Sequence, residues 1–170
     1  SVVLSDDAPA MVEAAGRRAQ DDARVTTRMC DQMRIEAPDA SFDAVICRHG
    51  LMFAEPPVDA VREAARVLRP GGRYATMTWD ARTANPWLGV VLDAVGEQFG
   101  VPFPPPAIPG PFAIDDPEAL AGFLRDAGLE DVEVTRVATP MHAPSLEEWW
   151  ARVPELAGPL AMALAGMEAE

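Results

Sequence analysis

Two adjacent carboxylates, Asp6 and Asp7, follow a short apolar run, Val2-Val3-Leu4, and stand just ahead of a helical pattern that opens at Pro9. An ionised carboxylate only accepts hydrogen bonds, and one such group can receive both hydroxyls of a ribose. Bonds of this charge-assisted kind contribute on the order of 1.5–3 kcal/mol each. Polar residues follow an apolar run at three further places: Cys30-Asp31-Gln32, Cys47-Arg48-His49 and Trp79-Asp80. An Asp ahead of a helix also serves as a cap for its first amides, so both readings of Asp6 and Asp7 stand on the residues alone. His49 has the proton affinity of a general base near neutral pH, but an imidazole bonded to backbone reads equally well there. Arg48 suits either an acidic group of a ligand or Asp31. Cys47, at a strand end, reads first as a small apolar residue.

Sheet strands must bring such residues together, and the sequence supplies them. Val2 to Leu4 and Val25 to Met29 read as strands, and Phe42 to Cys47 is the clearest one. Met11, Val12, Ala15 and Ala19 recur at helical steps after Pro9, and Val61, Ala64, Ala65 and Leu68 do so in a helix over 58–68. Arg69-Pro70-Gly71-Gly72 reads as its stop, and Arg73 to Trp79 as the next strand. Continuous apolar strands between amphipathic helices predict an α/β fold with a parallel sheet covered on both faces. Right-handed crossovers put the strand carboxyl ends on one side, where ligands of open sheets bind.

Past Trp79 the spacing predicts a helix over 87–99, a proline-rich surface loop over 101–111, and a helix from Asp115-Asp116-Pro117-Glu118 closing at Gly128. Val132 to Val137 alternates like an edge or antiparallel strand. Ser145-Leu146-Glu147-Glu148 has the capping-box pattern that opens one or two final helices.

Bulk composition narrows the class. The 170 residues suit one domain, with 49% hydrophobic and 24% charged residues. Net charge is -13 and all 14 basic residues are arginine, which leaves little material for a phosphate-binding face and argues against nucleic acid. No run approaches the roughly 20 apolar residues of a membrane span. Cys30 and Cys47 form neither a CxxC pair nor a disulfide framework, which suits a reducing, cytoplasmic setting. With His49 and His142 the only histidines, no metal site is expected.

Three motifs in order carry a family resemblance. Asp6-Asp7-Ala8-Pro9-Ala10-Met11 resembles the segment after the second strand of class I S-adenosylmethionine-dependent methyltransferases, in their small-molecule branch. Asp31 through Asp43 (DQMRIEAPDASFD) is similar to the stretch leading into the fourth strand. Glu63 through Arg73 (EAARVLRPGGR) closely resembles the turn from helix into fifth strand. The resemblance implies a Rossmann-like sheet and S-adenosyl-L-methionine as cofactor. It implies Asp6 and Asp7 on the ribose, Met11 near the adenine, and Asp31 on the adenine amino group with Gln32 beside it. Cys47 and Arg48 would complete the cofactor side.

The family's glycine-rich turn precedes this acid by about 20 residues, so the resemblance places that turn upstream of Ser1. The expectation is one partial domain over 1–170, truncated at the N-terminus and at the C-terminus, that binds cofactor weakly or not at all by itself. Segments 1–80 and 113–137 would form the nucleotide-binding core, and 81–112 and 138–170 the substrate-side loop and lid helices.

Methyl transfer from a sulfonium asks the protein mainly for alignment and exclusion of water. His49 is the candidate base, and Trp79 and Trp149 are candidate walls of an acceptor site that is apolar and short of basic clusters. Either tryptophan also reads as a core aromatic. The expected reaction is methyl transfer to an O, N or C nucleophile of a small, largely apolar molecule. A nicotinamide-dependent oxidoreductase or a non-catalytic remnant of the same fold are the alternatives. Oligomeric state is left open.

Overall fold

The computed structural model describes residues 1–156 together with Leu160, Leu164 and Gly166. Two compact units divide the chain: Ser1–Met77 with Gly122–Val132, and Thr78–Ala121 with Glu133–Glu170. Part of the segment expected to form lid helices, over 138–170, therefore lies outside the described residues.

In the first unit, β1 (Val2–Asp6) pairs in parallel with β2 (Val25–Met29), and Asp6 sits opposite Met29. The crossover between them is α1 (Pro9–Ala19), which Pro9 starts because its fixed φ suits a first helical turn. A second parallel pair joins β3 (Phe42–Arg48) and β4 (Leu68–Met77), connected by a 3-10 turn at Leu51–Phe53 and helix α2 (Pro57–Val67). Parallel pairing through helical crossovers is as expected. The four strands nevertheless form two hydrogen-bonded pairs rather than one ladder. By the resemblance, β1 and β3 match the second and fourth strands, which are not neighbours in a doubly wound sheet.

Packing differs sharply between the pairs. Helix α2 buries Ala60, Val61, Ala64 and Val67, one stripe at helical spacing, against the 3-10 turn whose Leu51 and Met52 are also buried. Helix α1 and strands β1 to β3 contain no buried residue.

The Pro-Gly-Gly segment corrects the expectation of a strand starting at Arg73. Strand β4 begins at Leu68, opposite Phe42, while Arg73 pairs with Ala44, so 69–72 bulge out of the ladder. Gly71 takes a positive φ of 76°. A Cβ on Gly72 would lie 2.9 Å from the Arg69 carbonyl and 3.1 Å from that of Asp43. Backbone approach, rather than strand termination, is what these glycines permit.

The second unit contains α3 (Pro86–Phe99), whose Leu88, Val91, Leu92 and Val95 pack with Val153 of α5 (Leu146–Leu156) and with Leu160. The Ser145 cap is as expected: its Oγ accepts the Glu148 amide at 3.2 Å. Helix α4 (Pro117–Asp126) runs from the second unit into the first. Asp116 Oδ1 accepts the Glu118 amide at its start, and Gly128, at φ 87°, closes it. The strand expected over 132–137 is not formed. An alternating pattern becomes a strand only with a ladder to join, and no described strand pairs with it.

Candidate cofactor edge

Strand register sets the first half of the site. Asp6 ends β1 opposite Met29, and its carbonyl accepts the Cys30 amide at 3.0 Å, so Asp6, Asp7 and Asp31 share the carboxyl edge of one parallel pair. One oxygen of Asp6 accepts the Ala8 amide at 2.9 Å, the turn that leads into α1. Ala8 is the N-cap of α1 and no side chain caps its first amides, so Asp6 braces the turn before the helix and keeps acceptor positions for a ligand, a carboxylate having about four. Asp31 Oδ1 accepts the Met33 amide at 2.8 Å, and Arg34 N donates to the Asp31 carbonyl at 3.0 Å, closing a tight turn.

These acids crowd one another. Asp7 has its pKa raised, first by burial, then by the hydrogen bond its protonated form donates to Asp6 and by the charge of Asp6, with a smaller contribution from Asp31. No ion pair reaches any of the three among the described residues. Three gathered carboxylates without a cation have spare acceptor capacity, which ribose hydroxyls and an adenine amino group would match as donors. Met11, on α1, is 55% exposed above this edge's helix start, open to a ligand.

The second half is the loop after β3. His49 stands at φ 55°, the left-handed region that costs a β-carbon-bearing residue on the order of 1–2 kcal/mol. Its amide donates to the Met77 carbonyl at 2.9 Å. Burial, and then the charge of Arg48, lower the imidazole's pKa, which favours the neutral, proton-accepting form. Arg48 is exposed and joins no ion pair among the described residues, so the alternative of pairing with Asp31 is not realised. Cys47 is half-buried, and its thiol donates to Gln32 Oε1 at 3.8 Å. Beside it, burial and the nearby thiol raise the Tyr74 pKa. Tyr74 was not singled out in the sequence; its place follows from the register that sets it opposite Val45, two residue pairs from Cys47 and on the same face of the ladder.

Gln32 sits differently from its expected place beside the adenine. Its side-chain amide turns to the β3 loop, donating from Nε2 to the Gly50 carbonyl at 2.9 Å.

The candidate acceptor-side tryptophans both lie in the second unit. Trp79 stacks edge-on with Trp87, ring centroids 5.5 Å apart. Trp149 packs against the buried α3–α5 cluster, whereas Trp150 is 47% exposed. His142 is exposed and its carbonyl accepts Arg152. Asp80, past β4, is held below the usual carboxylate range by the Ala81 amide and then by Arg136. Among the described residues no group of His, Cys, Asp and Glu could hold a metal ion.

Residues 1–76, which carry all of the candidate cofactor residues, match the model of the family described as "Methyltransferase domain". Over these residues the chain carries a methyltransferase domain. Among curated relatives, the chain is 29% identical over 151 residues to a ubiquinone/menaquinone biosynthesis C-methyltransferase of Bordetella parapertussis, covering 78% of the chain and 55% of the relative. It is 45% identical over 67 residues to a 27-O-demethylrifamycin SV methyltransferase of Amycolatopsis mediterranei, covering 38% and 25%. The chain thus spans about half, or less, of the length of these curated relatives. Its fold is that of a solved S-adenosylmethionine-dependent methyltransferase from Thermotoga maritima, described as a possible histamine N-methyltransferase. That likeness has a TM-score of 0.53 and 23% identity over 75% of this chain and 54% of that one. The α/β class with parallel pairing is therefore the methyltransferase fold.

Proposed function

We propose that the protein transfers a methyl group from S-adenosyl-L-methionine to an O, N or C nucleophile of a small, largely apolar molecule. The observation that carries this reading is the cluster of Asp6, Asp7 and Asp31 on one edge of the β1–β2 pair, within the segment that matches the methyltransferase domain. Asp6 receives the ribose hydroxyls with the acceptor positions left beside its bond to Ala8, and Asp31 receives the adenine amino group. Met11 covers the nucleoside from α1, and Cys47 and Arg48 bound it from the β3 loop. The bound cofactor supplies the activated methyl group.

His49 takes the proton of acceptors that must lose one, which its lowered pKa favours. Trp79 and Trp149 supply apolar surface to the acceptor side. Curated relatives named for quinone and rifamycin methylation support a small-molecule acceptor. The excess of acid, -13 overall, supports the exclusion of nucleic acid as partner. Among the described residues no helix is long and apolar enough to cross a membrane. Free Cys30 and Cys47 fit a reducing cytoplasm.

Calorimetry of the full-length protein with S-adenosylhomocysteine tests the reading. Asp6→Ala should weaken binding about tenfold or more, the worth of one charge-assisted bond, with little change in melting temperature. A protein that binds NAD and not S-adenosylhomocysteine would sink it in favour of the nicotinamide alternative.

A further inference from the structure

Gln32 bridges two segments whose strands share no ladder: the turn after β2 and the loop after β3. Its Nε2 donates to the Gly50 carbonyl at 2.9 Å, and its Oε1 accepts the Cys47 thiol at 3.8 Å. That carbonyl also accepts the Phe53 amide at 2.9 Å, so both of its lone pairs are engaged. The turn that presents Gln32 is closed by the two bonds of Asp31, and the other end of the loop is pinned by the His49 amide on Met77. Gly50 completes the fit: a Cβ there would stand 3.0 Å from Cys47 Sγ and 3.5 Å from Gln32 Oε1. Only an amide both donates to a carbonyl and accepts from a thiol at this spot; a carboxylate of the same length cannot donate.

We propose that Gln32 is a positioning residue that locks the loop over 47–50 to the turn carrying Asp31, so that the nucleoside edge sets the placement of the His49 segment. The role in cofactor binding rests on the methyltransferase reading above; the lock itself does not. Through this lock, an adenosine held at Asp31 and the groups around residue 49 share one register. Freeing the loop therefore weakens binding even though the Gln32 side chain faces the protein.

The test uses the full chain in two measurements. Gln32→Met keeps the bulk and removes both bonds. In ligand-free protein, alkylation of Cys47 by iodoacetamide, followed by peptide mass spectrometry, should accelerate about fivefold, the scale of one lost neutral bond. Affinity for S-adenosylhomocysteine should fall about tenfold, with the melting temperature nearly unchanged. An unchanged alkylation rate overturns the lock, and a faster rate with unchanged affinity overturns the positioning role. Gly50→Ala presses on the same contact from the other side and serves if Gln32→Met folds poorly. In the double variant the affinity loss should equal that of the worse single variant, because both act through one contact. Losses that multiply independently overturn the proposal. Wild-type protein that binds NAD and not S-adenosylhomocysteine would sink the methyltransferase reading, while the alkylation arm still decides the lock.

Discussion

The two parallel pairs of the first unit have the same connectivity and opposite character. The β3–β4 pair, with α2 and the 3-10 turn, holds Leu51, Met52, Val61 and Val67 at 1% exposure or less. The β1–β2 pair and α1 bury nothing fully, yet they carry Asp6, Asp7, Met11 and, just beyond, Asp31. Hydrophobic burial stabilises one pair, and the other presents acceptors at its carboxyl edge. The difference teaches that in this chain stability and cofactor chemistry reside in different crossover units. They meet at the loops joined by Gln32.

Substitutions in matched places can break this contrast. Val61→Ala, at a fully buried position, should lower unfolding free energy by about 2 kcal/mol in a urea titration and leave S-adenosylhomocysteine affinity near wild type. Val12→Ala, on the half-buried face of α1, should cost about a third of that. Equal costs at the two sites would erase the distinction. Next in size, Arg66→Met removes a guanidinium that bonds the carbonyls of Ile35 and Ala37 and pairs with Glu63 and Asp39. The melting temperature should fall by a few degrees. Because Arg66 holds the Glu63 carboxyl below its usual range, part of the wild-type advantage should be present above about pH 4.3 and be lost as pH falls through the depressed native value, leaving the part due to the two carbonyls. An advantage that does not shrink at lower pH would exclude Glu63 as a cause.

The smallest effect is at His49. Its native pKa is depressed, so the unfolded chain binds more protons below about pH 6.5. Stability should therefore decline as pH drops from about 6.5 through the lower native value, where the decline levels off. His49→Phe should flatten that limb in thermal melts between pH 7 and 5. If the limb remains, another group is responsible.

Much of this arrangement was legible in the residues. Val25 to Met29 is a strand over the residues expected, and β1, α1, β3 and α2 begin within a residue of expectation, whereas β4 begins five residues early. What escaped depends on partners distant in the chain. The bulge at Pro70-Gly71-Gly72 exists because Gly72 lies against the Asp43 carbonyl, which no local pattern encodes. Val132 to Val137 alternates but has no ladder to join. Asp6 and Asp31 were readable as strand-end acids, whereas the inward turn of Gln32 is fixed by a carbonyl 18 residues on. Tyr74 gave no signal, since its nearness to the Cys47 thiol comes from the pairing of β3 with β4, which sets it two positions away on one face.

The left-handed backbone at His49 has an evolutionary corollary. Glycine or asparagine would adopt that conformation at lower energy than histidine. A library randomised at this codon and sorted for thermal resistance should converge on those two residues. The same library sorted for turnover should return to histidine, so the two sorts together would separate what the imidazole contributes from what the turn merely tolerates.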